Sequence, residues 1–221
     1  MGHPDEEEWR ADDAMGEWFE EQLQQQSREP VFAYLAKYGD AVQERVDSCR
    51  QEATELHADG FYGAALVCAA AGIEITIRFF LARPLVLSAF LSEEWAQALT
   101  SRILNGKTAE DRQLLPAILR NWGIDVTQIR LAAGAQLWET VVTTVWNRRN
   151  LYVHAGASIG EDDSTLAREC LDLLLATVVT PVAKQLGFTR EETGRWSTVL
   201  SSHDRDLNPP RHYETASPFS E

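Results

Sequence analysis

Trp146-Asn147-Arg148-Arg149-Asn150-Leu151-Tyr152-Val153-His154-Ala155-Gly156 sets two arginines, two amides and a histidine close together at the end of an apolar segment. Histidine, with an unperturbed pKa of about 6.5, moves protons near neutral pH. Arginine carries a planar charged fork that fits phosphate oxygens. The pair suits metal-independent cleavage of a phosphodiester. In RNA the 2′-hydroxyl is the built-in nucleophile, so the protein need not supply one, and the expected product is a 2′,3′-cyclic phosphate. DNA lacks that hydroxyl and is not the expected substrate. In this chemistry His154 is general base or acid and Arg149 stabilises the phosphorane-like charge. Asn150, one helical turn before His154, holds the imidazole tautomer or bonds the scissile phosphate. Asn147 and Arg148 are supporting residues. A structural reading stands beside the chemical one. Basic side chains near a helix C-terminus interact favourably with its dipole, and Arg148, toward the apolar side, snorkels or pairs with a carboxylate.

The element that must position these groups is a helix over about 134–153. Leu137, Val141, Val145 and Tyr152 recur at helical intervals. At about 100° per residue, Thr143, Asn147, Asn150 and His154 share one polar stripe opposite that apolar line. Arg149 flanks the stripe beside Trp146.

Around this helix the periodicity predicts others. Pro30 suits a helix start, and Val31, Tyr34, Leu35, Tyr38, Val42, Val46 and Cys49 carry the pattern to about Leu56. Gly60 breaks the chain there. A second helix, about Phe61 to Ala82, is apolar nearly all round and must be buried on several sides. Glu74 and Arg78 within it are four residues apart, in the favourable order for a pair on one helix. The alternative is that Glu74 faces the Arg149/His154 stripe and orients one of them. Pro84 stops this helix. Residues 85–131 read as shorter helices, about Leu85–Leu104 and Glu110–Trp122, forming an insertion before the motif helix. Gly106-Lys107-Thr108 is no phosphate-binding loop, because position 101 is Ser rather than Gly and no strand precedes it. After Gly160, the acidic start Glu161-Asp162-Asp163 opens a last long helix that ends near Gly187. Strand signals are absent. The expected class is all-α, an antiparallel helical bundle spanning 29–190, with a C-terminal tail over 191–221. Residues 1–28 read as a solvated acidic tail. Met15, Trp18, Phe19 and Leu23 nevertheless share one face, which would suit a short docking helix.

The net charge of −14 over 221 residues confines any nucleic-acid site to a local basic patch. The three cysteines, Cys49, Cys68 and Cys170, lack metal-ligand spacing and read as small apolar residues. No His/Cys/Asp group has zinc spacing, so no metal or other cofactor is expected. His3, His57, His203 and His212 are weaker candidates than His154, in expected tails or at a helix end. The start of the chain has no basic, apolar leader. The richest apolar run, Ala64 to Leu81, is interrupted by Glu74 and Arg78. The expected location is cytoplasmic, with no membrane partner.

The run from Arg149 to His154, with Asn150 directly after the arginine, resembles the signature of the HEPN superfamily. In that family an Arg is followed by four to six residues and then a His. Gly60-Phe61-Tyr62-Gly63 through Glu74 to Arg83 looks like the family's second helix, and the resemblance covers roughly residues 30–188. It implies a metal-independent endoribonuclease acting as a homodimer, with two motifs facing one another across a cleft. Two copies of Arg148 and Arg149 would make a cationic patch there, whose repulsion Glu74 would relieve. The resemblance further implies a toxin paired with an antitoxin, or an antiphage effector within a larger defence complex. The rival reading is a non-catalytic nucleotide-binding or dimerisation module. The acidic N-terminus suggests a phosphate mimic that occupies the basic cleft until displaced.

Overall fold

A computed structural model of the chain describes residues 4–84, 109–120, 122–190 and 196–198, with residues 4–30 described as helical backbone. It is mostly helical, as the periodicity predicts. The elements are α1 (Pro4–Ala58), α2 (Tyr62–Ile75), α3 (Ala109–Arg120), α4 (Leu137–Glu139), α5 (Trp146–Ala155), α6 (Glu161–Leu174) and α7 (Thr180–Gln185), followed by the short strands β1 (Phe188–Arg190) and β2 (Trp196–Thr198).

The core forms where apolar stripes of three helices meet. Helix α1 closes on a turn in which the Gly60 N–H donates to His57 O at 3.0 Å and the Phe61 N–H to Leu56 O at 2.8 Å. This reverses the chain, so α2 runs back along α1. Cys68 Sγ meets Glu52 Oε2 at 3.7 Å, and Gly72 lies against Cys49. Helix α6 runs antiparallel to α1, with His57 beside Ser164 and Arg50 paired with Asp172. It runs parallel to α2, with Tyr62 reaching Glu161 and Leu171 lying over Gly72. A Cβ at Gly72 would sit 2.8 Å from Leu171 Cδ2, so only glycine allows α2 and α6 to approach this closely. Val42, Val46, Leu66, Ile73, Leu171 and Leu174 are fully or almost fully buried between them, each contributing about 1.5–3 kcal/mol by removal from water.

Three π-helical turns interrupt the regular helices: Thr76–Ala82 after α2, Thr140–Val145 between α4 and α5, and Leu175–Val179 between α6 and α7. Their wide bonds run from the Arg83, Trp146 and Thr180 N–H groups to Arg78, Val141 and Leu175 O. Threonines accompany all three. The Thr76, Thr143 and Thr177 hydroxyls each donate to the carbonyl four residues back, and Thr180 donates to Leu175 O. These hydroxyls engage carbonyls where the ladder changes pitch.

The structure departs from the sequence expectations in five places. Pro30 does not start the first helix, because α1 runs through it from Pro4, so the acidic stretch 1–28 is helical from Pro4 onward. Pro84 does not stop the second helix, since backbone at Arg83 and Pro84 is still helical. The insertion is not peripheral where it is described. Leu115 and Leu119 of α3 are fully buried in the common core, while the expected helix at about 85–104 and Gly106-Lys107-Thr108 lie outside the described residues. Strands do occur: β1 and β2 pair antiparallel, Phe188 opposite Thr198 and Arg190 opposite Trp196. That hairpin draws Trp196 out of the expected tail. Its N–H donates to Asp40 Oδ1 at 2.9 Å, its ring meets Phe80 edge-on, and Arg190 pairs with Asp47 at 2.7 Å. Finally, the apolar stretch Tyr62–Ala82 is by length and composition sufficient to cross a membrane, with 56% of its apolar window buried inside the protein.

Candidate functional site

The motif helix is assembled from α4, the π turn Thr140–Val145 and α5. Leu137, Val141 and Val145 are buried, as the apolar line requires. Helix α5 itself buries no residue. It leaves the core at Val145 and touches the rest of the molecule chiefly through two side chains. One is Tyr152, whose ring lies flat over Gly63 at the start of α2. A Cβ at Gly63 would fall 2.2 Å from Tyr152 Cε2. The other is Arg148, whose Nε pairs with Asp163 in the first turn of α6 at 3.1 Å. Arg148 is therefore committed to a carboxylate, the structural role that its position toward the apolar side allowed.

The opposite face is open. Asn147 and His154 are exposed, Thr143, Arg149 and Asn150 half-buried. Among the described residues His154 makes no hydrogen bond or ion pair, and Arg149 makes no ion pair. Arg149 Nη1 donates to Asn150 Oδ1 at 3.0 Å. Asn150 thus orients the guanidinium, and its oxygen is not available to an imidazole. Unbroken α-helix over Trp146–Ala155 separates Arg149 and His154 by about one and a half turns, on adjoining faces.

Glu74 does not orient the motif. Its carboxylate pairs with Arg78 at 3.2 Å, and it stands eleven residues beyond Gly63, about 16 Å further along the helix. The acidic N-terminal stretch is not beside its own motif either. His57, at the motif end of α1, is separated from Arg28 by unbroken helix, about 44 Å at 1.5 Å per residue. A continuous α1 cannot fold that stretch back over Arg149 and His154 of the same chain.

Three features of this end are not evident from motif spacing. Leu151, Val153 and Phe61 are 46%, 48% and 62% exposed, so apolar surface flanks His154. A signal for this is present in the sequence. Leu151-Tyr152-Val153 are consecutive, and at about 100° per residue they cannot all face one core. Beside them, His57 Nδ1 lies 3.1 Å from Ser164 Oγ, the Tyr62 ring packs edge-on against His57, and the Tyr62 hydroxyl donates to Glu161 at 3.5 Å. Ser164 is fully buried, so this contact ties α1 to α6. Third is the Gly63 seat for Tyr152. Among the described residues no group of three His, Cys, Asp or Glu side chains could hold a metal ion.

Comparison with known proteins returns no match: no family model, no curated protein and no solved structure resembles the chain. The functional reading rests on the residues and their geometry.

Proposed function

We propose that the protein is a metal-independent endoribonuclease of HEPN type, its helices forming an antiparallel bundle and its site completed by a second copy of the chain. The observation that carries this reading is the presentation of Arg149, Asn150 and His154 on the outward side of a helix that buries nothing, with Leu151 and Val153 exposed on either side. One exposed imidazole provides one proton-transfer group, whereas cleavage and departure of the 5′-oxygen require a base and an acid. A two-fold contact through the apolar flanks supplies the second. In the resulting cleft Arg149, held by Asn150, neutralises charge on the phosphorane-like phosphate. One His154 takes the 2′-hydroxyl proton, and its twin protonates the leaving oxygen. A role as a cytoplasmic toxin held by an antitoxin, or as the effector of a larger antiphage complex, fits an RNA-cutting activity that must be controlled.

The test is incubation of the protein and its His154→Ala variant with end-labelled RNA in EDTA, followed by end-group analysis. Wild type yields 2′,3′-cyclic phosphate ends, and His154→Ala slows cleavage about 10²–10⁴-fold with the fold and RNA binding retained. RNA binding without cleavage by either protein, on varied RNAs, favours a non-catalytic binding or dimerisation module instead.

A further inference from the structure

Glu74, released from the motif, lines a second feature. A cavity of about 470 Å3 opens between α1 and α2, bounded by Arg45, Ala71, Glu74, Ile75, Arg78 and Phe79. Its lining divides by chemistry. Ala71, Ile75 and Phe79 form an apolar wall, while Arg45 and Arg78 bring two guanidinium groups from the two helices.

Neither arginine is fully used by the protein. Arg45 is exposed and makes no hydrogen bond or ion pair among the described residues. Its neighbours one turn away on α1 are Ala41, Val42, Ser48 and Cys49, so no carboxylate of its own stripe compensates it. Arg78 spends Nη2 on Glu74, but its Nε is buried without an acceptor. A buried donor left without a partner is unfavourable by about 1–3 kcal/mol, and an anion in the groove would remove that penalty. With Glu74 included, the groove keeps a net positive charge in a chain whose total is −14.

From this we infer that the α1/α2 groove is a binding site for a small phosphomonoester with an apolar or aromatic body. The phosphate lies between Arg45 and Arg78, where paired guanidinium groups match its oxygens. The body lies along Ile75 and Phe79. Glu74 fixes the Arg78 fork and accepts a hydrogen bond from any hydroxyl or amine that the ligand carries. The volume falls within the range of small-molecule sites. The site is separate from Arg149 and His154, so it stands whether or not the chain cuts RNA.

Calorimetric titration of the whole protein with phenyl phosphate, benzyl alcohol and inorganic phosphate tests this. The expected order is phenyl phosphate tightest, inorganic phosphate weaker and benzyl alcohol undetectable. Arg45→Ala changes an exposed residue and is expected to fold normally, with its affinity for phenyl phosphate reduced about tenfold or more. Arg45→Lys keeps the charge and loses the fork, and should fall between the two. Phenyl phosphate binding that is equal in wild type and Arg45→Ala overturns the site. So does a wild type that fails to bind it at millimolar concentration, or that binds benzyl alcohol equally well.

Discussion

Gly63 and Tyr152 show how much of the site depends on the absence of one carbon. The Tyr152 ring occupies the space that a Cβ on residue 63 would fill, at 2.2 Å from Cε2 and 2.5 Å from Cζ. Gly63→Ala therefore has to push out the ring that seats the last turn of α5. The expected cost is about 1–3 kcal/mol, measured by urea denaturation. In a Tyr152→Ala background the same substitution should cost less than about 0.5 kcal/mol, since the clash is gone and alanine is the better helix former. Equal costs in both backgrounds would show that the ring is not seated there. Cys170 provides a second test at this scale. Burial pushes its thiol from 9.0 up to about 12. With the folded pKa above the unfolded one, its contribution is fully present below about pH 9 and is lost as pH rises toward 12. At pH 10 the protein should be about 1 kcal/mol less stable on this account than at pH 8. Cys170→Ala should remove that part of the pH slope, whatever the substitution costs in packing at pH 8.

At the scale of elements, the long helices were legible and their ends were not. The apolar spacing in α1, α2, α5 and α6 is strong because each buries a stripe against two neighbours. Pro30 reads as a start because proline lacks an N–H, yet the Gln- and Glu-rich sequence before it favours helix enough for α1 to run through it. The β1–β2 hairpin escaped because three-residue strands are too short to show alternation. What creates it is tertiary: Trp196 finds Phe80 and Asp40. Within the site, the polar stripe was readable from spacing. Glu74 was misplaced because periodicity gives a face of a helix but not the height at which two helices cross. The hairpin makes its own prediction. Trp196→Ala should destabilise the protein by about 2–4 kcal/mol, and Asp40→Ala, which removes only the acceptor for the Trp196 N–H, by about 1 kcal/mol. Thermal unfolding of both variants checks this order. A silent Trp196→Ala would mean the hairpin does not close on α1.

Taken whole, the molecule carries −14 and must approach an equally negative polymer through one small basic surface. Arg148 is already spent on Asp163, which leaves Arg149 and His154 as the cationic groups of a single motif. One protomer therefore offers RNA little attraction, and electrostatics alone favours a site built from two copies. The exposed Leu151 and Val153 place that requirement on a definite surface. They lie on a helix with no buried residue, so charging them should alter folding stability by no more than about 0.5 kcal/mol each. Buried in a contact between copies, the same charges would be desolvated and repel their symmetry mates. Leu151→Glu combined with Val153→Glu is therefore expected to keep the wild-type unfolding midpoint, shift the protein to monomer in sedimentation velocity, and lower RNA cleavage by at least about a hundredfold. Phe61→Glu, at the edge of the same apolar surface, should weaken association to a smaller degree. A double variant that is monomeric yet cleaves RNA at the wild-type rate would leave one Arg149 and one His154 to do all the chemistry, and the composite site would have to be abandoned.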